Sequence, residues 1–201
     1  MFCLLDMTKD FKCYLVGGAV RDHLLDRATG DRDWVVVGSS ESEMKSLGYV
    51  PVGKNFPVYL HPETKEEYAL ARKEVKIASG HTGFEIDSDS TIKLEEDLFR
   101  RDLTINAIAQ DVKGNLIDPF NGLLDIERKI LRHVSGAFIE DPLRVFRVAR
   151  FAAELPDFSV AEETFELMSV MSQKGDLSQL SAERVWLEMV KAMSARSPER
   201  F

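Results

Sequence analysis

The sequence predicts an α+β domain followed by an all-helical one. Three observations carry that expectation. Short β-branched and aromatic runs alternate with helical segments up to about residue 133, no strand-like run survives beyond it, and apolar residues there recur at helical spacing. With 201 residues and 44% hydrophobic content, the chain can bury real cores and is not disordered by composition.

Taken in order, Met1 to Lys12 is a mildly apolar extension that lacks a basic leader and a long apolar core, so it does not read as a signal peptide. No run is long enough to span a membrane. Cys3 and Cys13 are the only cysteines, with neither metal-ligand spacing nor a disulfide framework, and read as reduced thiols in a cytoplasmic protein. Cys13 to Val16 is a short buried strand, Gly17-Gly18 a turn, and Val20 to Leu25 a helix. Further strands are expected at Asp33 to Gly38, Tyr49 to Val52, Val58 to Leu60 and Tyr68 to Ala71, with a helix at Ser42 to Leu47. Ala78 to Ser90 is polar and lacks periodicity, which predicts an exposed loop with His81 as a surface residue. Arg100-Arg101-Asp102, followed by Asn106, reads as a helix start with a charged cap. Ala107 to Asp111 and Leu116 to Asp118 form a hairpin across Lys113-Gly114-Asn115, and Leu123 to Lys129 a helix. After His133, helices are expected at Leu143 to Leu155, Ala161 to Ser172 and Ala182 to Ser194, punctuated by Pro156 and Gly175. The division falls at 1–133 and 134–201.

Chemistry concentrates near the N-terminus. Asp31 and Asp33 are separated by one residue just ahead of Trp34-Val35-Val36-Val37, so in a strand they project to one face. Paired carboxylates of this kind hold magnesium, which bridges phosphate oxygens and lowers the pKa of an attacking hydroxyl. Asp-x-Asp alone occurs in many turns. Here it follows Tyr14 to Leu25, where Gly17 and Gly18 let the backbone approach a phosphate and Arg21 offers a forked guanidinium to the same anion. A phosphate cradle followed by a carboxylate pair describes a nucleotidyl-transfer site. The net charge of −8 argues against an RNA partner, but arginines cluster at 100, 101, 144, 147 and 150, which implies a basic cleft on an acidic protein.

These motifs resemble one family. Leu15 to Asp22, the Asp31/Asp33 pair, Arg100 to Ala107, Glu140 to Phe151 and Ser181 to Trp186 occur in the order found in class II tRNA nucleotidyltransferases, the CCA-adding enzymes, and their bacterial poly(A) polymerase relatives. Tyr68 to Arg72 and Gly80 to Phe84 look most like the gamma-proteobacterial members. The resemblance implies a polymerase-beta-like nucleotidyltransferase head with a mixed sheet over 1–133 and an all-helical neck over 134–201. Ser197-Pro198-Glu199-Arg200-Phe201 then reads as a cut end, because such enzymes continue into body and tail regions that grip the tRNA.

By the same resemblance the activity is template-independent addition of CMP and AMP to the tRNA 3′ end from CTP and ATP. Asp31 and Asp33 are its catalytic, magnesium-holding residues. Gly17, Gly18, Arg21 and Arg101 hold the triphosphate, and Asp102 and Asn106 shape the ribose pocket. Asp141 and Arg144 read the base, while Arg147 and Arg150 meet sugar and phosphates. Bottom-up, the row from Asp141 to Arg150 is equally a solvated helix face. What favours base reading is that cytosine and adenine both present an amino donor beside a ring-nitrogen acceptor, which a carboxylate and a guanidinium complement. The family also implies a mobile loop at 78–90 and needs no histidine base. One departure is Asp26, which follows Leu24-Leu25 where the family commonly has glycine. A poly(A) polymerase and a noncatalytic nucleotide- or tRNA-binding piece are the competing readings.

Overall fold

The computed structural model describes residues 12–52, 58–76, 84–87 and 90–201. The chain runs β1 (Lys12–Val16), α1 (Gly18–Leu24), β2 (Asp33–Val37), α2 (Glu41–Ser46), β3 (Val50–Val52), β4 (Val58–Leu60), β5 (Glu67–Leu70), β6 (Lys73–Lys76) and β7 (Phe84–Asp87). It continues through α3 (Leu94–Phe99), β8 (Ala109–Asp111), β9 (Leu116–Ile117), α4 (Gly122–Arg128), β10 (Ile130–Leu131), α5 (Leu143–Glu154), β11 (Ser159–Val160), α6 (Glu162–Gln173) and α7 (Ala182–Met193). The N-terminal extension through Phe11, Cys3, His81 and the expected role of a mobile loop lie outside the described residues.

Seven strands form one mixed sheet in the order β3-β4-β5-β2-β1-β8-β9, antiparallel except for the β2–β5 pair. The central strands are covered on both faces, and the two-residue side-chain period sorts them. Cys13, Leu15, Trp34 and Val36 enter one core with Tyr49, Tyr59 and Tyr68, whereas Val16 and Val35 enter another with Leu98, Ala107 and Ala109. Trp34 and Tyr68, opposite one another in the β2–β5 register, stack with ring centroids 5.6 Å apart. This sheet fixes the start of α1 and the start of β2 side by side, since Val16 pairs with Asp33 across β1 and β2.

Four expectations need correction. β7 lies inside the segment read as an irregular loop and pairs antiparallel with β6, a hairpin hidden because each strand is only four residues long and the Phe84-Glu85-Ile86-Asp87 alternation is too short to stand out. Arg100 ends helix α3 instead of starting one, and a short 3₁₀ turn over Thr104–Asn106 follows. The acidic first turn Glu95-Glu96-Asp97 complements the α3 N-terminus and was the signal for the true helix. Beyond 133 one two-residue strand exists: β11 pairs in parallel with β10, too short for periodicity to reveal. Finally, β2 begins at Asp33, so Asp31 lies in the preceding connection and strand alternation does not by itself fix its direction.

The departure at position 26 has a local explanation. Asp26 adopts φ 51°, and the amides of Arg27 and Asp26 donate to the carbonyls of Asp22 (2.9 Å) and His23 (3.2 Å), a Schellman closure of α1. Glycine meets that left-handed geometry without a Cβ penalty, and Asp tolerates it better than most residues. Gly122 answers a different demand: a Cβ there would lie 2.3 Å from the Thr104 carbonyl oxygen, so α4 approaches the 3₁₀ turn as closely as backbone allows.

The helical half is held on the sheet half through buried charge. Asp102, 6% exposed, accepts from the Leu103 amide (2.8 Å), Asn106 Nδ2 (3.0 Å) and Arg147 Nε of α5 (2.7 Å). Arg21 of α1 donates to Asn106 Oδ1 at 2.8 Å, which continues the network into the sheet domain. Phe151 of α5 lies under the guanidiniums of Arg21 (5.0 Å), Arg147 (5.7 Å) and Arg150 (4.1 Å). Arg150 in turn donates to Glu188 of α7 at 2.5 Å and to Glu154 at 2.6 Å.

Two outcomes are expected. Asp26→Gly should raise unfolding stability by about 0.5–1 kcal/mol in urea titrations, and Asp26→Val should lower it by a similar amount. Burial pushes the Asp102 carboxyl up, but the Arg147 charge and the hydrogen bonds from Asn106, Arg147 and the Leu103 amide outweigh it and hold the group well below the usual carboxylate range. Because the folded value is the lower one, this stabilisation is complete above the ordinary unfolded value near pH 4 and disappears as pH falls from there through the folded value. Asp102→Asn should therefore cost about 3 kcal/mol at pH 7, and its stability should fall less steeply than the wild type's below about pH 4.

Candidate active site

Gly17 sits between β1 and α1 at φ 71° and ψ −135°, a conformation that residues with a Cβ rarely adopt. A Cβ there would also lie 3.3 Å from Arg101 Nη1. At Gly18, the first residue of α1, an added Cβ would meet only Arg21 Nη2 at 3.6 Å, an ordinary contact. Two guanidiniums thus flank this turn. Arg21 is buried and also held by Asp22, through Nε and Nη2 at 2.9 Å each. Arg101 donates from Nη2 to Asp97 (3.1 Å) and from Nη1 to the Asn106 carbonyl (3.5 Å), and its buried Nε has no hydrogen-bond partner among the described residues.

Opposite these cations stand carboxylates. Asp33 opens β2, Glu67 faces it in register on the parallel strand β5, and Asp31 lies two residues upstream. Burial, then the Glu67 charge, raise the Asp33 carboxyl above its usual range; Arg101 opposes the rise and Asp31 adds to it. A carboxylate crowded by like charge is a site short of positive charge. Hard oxygen donors of this kind suit a divalent cation such as magnesium, which takes one or two carboxylates and completes its shell with water and phosphate. Among the described residues no three acidic, histidine or cysteine side chains converge as a full cage, so the protein offers a partial ligand set.

The expected base-reading row is distributed rather than aligned. Asp141 precedes α5; its Oδ1 accepts from the Leu143 amide (3.2 Å) and its Oδ2 from Arg184 Nη2 of α7 (2.8 Å). Arg144 is buried, with Nη1 donating to the Ala137 carbonyl and Nη2 to the Arg100 carbonyl, each at 2.5 Å. Arg147 and Arg150 are engaged with Asp102, Glu188 and Glu154, so this face of α5 is not a solvated stripe. The structure brings Gly17, Gly18, Arg21, Arg101, Asp102, Asn106 and Arg147 into one connected group, with Asp33 paired to Val16 next to the glycine turn. Asp97, Arg184 and Glu188 were missed as partners of that group. Their signals were a carboxylate four residues before Arg101, and an Arg/Glu pair four apart on α7, where Glu188 is buried on a helix that exposes Trp186 and Leu187.

Most of the chain is similar to known proteins. Residues 13–132 match the family described as the Poly A polymerase head domain, and residues 157–201 match a probable RNA and SrmB binding site of polymerase A. The chain is 62% identical over 190 residues to the multifunctional CCA protein of Vibrio campbellii, covering 94% of this chain and 47% of that protein. It is 60% identical to the CCA-adding enzyme of Actinobacillus succinogenes, covering 94% of this chain and 48% of that one. The chain therefore spans about half the length of the curated relatives it matches. Among solved structures, the Bacillus stearothermophilus CCA-adding enzyme in complex with CTP superposes with a TM-score of 0.74 at 33% identity, over 90% of this chain and 44% of that one. An apo CCA-adding enzyme structure reaches 0.77 at 29% identity, over 95% and 47%. Its matched head domain, carrying the glycine turn, the carboxylate pair and the paired arginines in a mixed sheet, makes this chain a member of the poly(A) polymerase head-domain family of nucleotidyltransferases.

Proposed function

We propose that the chain is the catalytic part of a tRNA nucleotidyltransferase that builds the 3′-terminal CCA from CTP and ATP and releases pyrophosphate. Residues 1–133 form its catalytic head and 134–201 its neck. The observation that carries this reading is that the arginine-flanked glycine turn and Asp33 stand side by side at one end of the sheet, Val16 pairing with Asp33. A triphosphate laid on Gly17 and Gly18 finds Arg21 and Arg101 beside it, and its α-phosphate then faces Asp31 and Asp33. Magnesium held by Asp31 and Asp33 would lower the pKa of the tRNA 3′-hydroxyl and stabilise the charge on the leaving pyrophosphate. Asp102 and Asn106, joined at 3.0 Å, border the ribose.

Base choice falls to Asp141 and Arg144 in this reading, with Arg147 and Arg150 towards sugar and phosphates. Asp141 accepts the amino proton that cytosine and adenine share, and Arg144 donates to the neighbouring ring nitrogen. Guanine and uracil present the opposite pattern, which leaves desolvated charged groups unpaired at about 1–3 kcal/mol each. Among the described residues no helix is long and apolar enough to cross a membrane. A cytoplasmic location fits the tRNA substrate.

The test is incorporation on tRNA lacking its CCA end. Wild type should consume CTP first and then ATP; repeated ATP use alone would indicate a poly(A) polymerase, and CTP binding without product a binding piece only. Asp31→Ala or Asp33→Ala should lower turnover at least about a thousandfold while CTP still binds, because these carboxylates act chiefly on charge that develops in the transition state. Near-normal turnover in either variant would sink the metal assignment. The two glycines should separate as well. Gly17→Ala should destabilise the fold through its backbone, whereas Gly18→Ala should melt like wild type yet weaken CTP binding about tenfold, since only a bound phosphate needs that space.

A further inference from the structure

Asp97, so far only a hydrogen-bond partner of Arg101, is among the most deeply buried charges, 1% exposed on α3. Its Oδ1 accepts from Arg100 Nη2 (2.7 Å) and Nε (3.2 Å) and from the Arg72 amide (3.4 Å). Its Oδ2 accepts from Arg101 Nη2 at 3.1 Å. Burial opposes its ionisation, but the charges and hydrogen bonds of Arg100 and Arg101 outweigh it and keep the carboxyl below the usual range. One carboxylate thus anchors two guanidiniums.

Arg101 has a second carboxylate on its side of the sheet: Nη1 lies against Gly17, the preceding Val16 pairs with Asp33, and Val16 and Val35 pack with Leu98 of α3 on the face that Asp33 shares. Arginine is long and rotamer-rich, and an unanchored guanidinium settles on an accessible anion. Released from Asp97, Arg101 has Asp33 as the carboxylate beside the turn that its Nη1 already reaches. Collapse onto it would remove Arg101 from the glycine turn and neutralise a ligand of the metal in one movement. With Asp97 present, Nη2 is held on α3, Nη1 reaches over Gly17, and Nε is buried with no hydrogen-bond partner among the described residues.

We propose that Asp97 is a positioning residue that withholds Arg101 from Asp33, so that one buried carboxylate keeps both the triphosphate cradle and the metal ligands available. The inference rests on the proposed placement of the triphosphate at Gly17 and Arg101. It gives Asp97 a double effect that a structural residue would lack.

The experiment is a double-mutant cycle of Asp97→Asn with Arg101→Ala, read by calorimetric titration with CTP and, separately, with Mg2+, at a temperature where thermal melts show each protein folded. Asp97→Asn should weaken CTP about tenfold and also weaken Mg2+. In the double variant CTP should bind within about twofold of Arg101→Ala alone, and Mg2+ affinity should return towards wild type, since the guanidinium that occupies Asp33 is gone. Additive losses for CTP, or Mg2+ binding not restored by the second substitution, would overturn the proposal. If Arg101→Ala alone leaves CTP binding unchanged, the placement of the triphosphate fails instead. Should Asp97→Asn not fold, Asp97→Glu keeps the charge on a longer arm and is read through the same cycle, with the same sign of effect and a smaller size.

Discussion

Guanidinium charge buried against carboxylates and one aromatic ring is the constraint on which the rest of this structure depends. Arg21, Arg144 and Arg150 are each less than a tenth exposed. Stripping a charge of water costs several kcal/mol unless partners replace the lost hydrogen bonds. The chain supplies those partners from near and far: adjacent Asp22 and distant Asn106 for Arg21, backbone carbonyls of Ala137 and Arg100 for Arg144, Glu154 of the same helix and Glu188 of α7 for Arg150. The long-range bonds pin one element to another. The helical half is therefore oriented on the sheet by directional bonds, and Phe151 adds a face against which Arg21, Arg147 and Arg150 gather.

The same arrangement answers how a chain of net charge −8 presents a basic site. Surplus carboxylates face solvent elsewhere, while at the joint Asp97 is shared between two arginines and Asp102 is shared with Arg147. Local excess of positive charge arises from stoichiometry within the network, which net charge cannot report. Across the glycine turn the sign changes: Asp33, at the start of β2, faces Glu67 in register, and burial and that neighbouring charge raise its carboxyl. In the proposed reading a triphosphate and a divalent cation would suit the two halves together.

How much of this was legible depended on range. Strands such as Cys13 to Val16 and Asp33 to Val37 announce themselves because they lie at the centre of the sheet, where apolar residues are needed on both faces. The glycine turn and the carboxylate pair were legible because their chemistry is local in sequence. Hairpin β6–β7 was not, since its four-residue strands are too short for their alternation to stand out, and the two-residue strand β11 is specified by its partner β10. Arg100-Arg101-Asp102 misled for an instructive reason. Its composition suits a helix start, but Asp97 upstream claims both arginines and makes the run the end of α3. Asp97 was overlooked although it stands four residues before Arg101, whereas the pairing of Arg184 with Asp141 spans 43 residues and no periodicity encodes it.

That last pairing bears on how base selection would work if Asp141 and Arg144 read the base, as proposed. In the structure Asp141 already accepts from Arg184, and Arg144 already donates to two carbonyls. A correct base replaces those bonds with equivalent ones, so the net gain from recognition is small, about 1 kcal/mol per exchanged hydrogen bond. A wrong base breaks them without replacement, and the full desolvation penalty of a charged group remains. Discrimination is then set by the cost of the mismatch rather than by the strength of the match, which is the regime in which a buried polar site rejects analogues most effectively. Pre-engaged partners sharpen this asymmetry, because the resting ion pair is always available as the alternative to a poor fit. A protein that selects bases without a template needs weak binding of the right one and costly binding of the others, and the networks around Asp141 and Arg144 have the form that this demands.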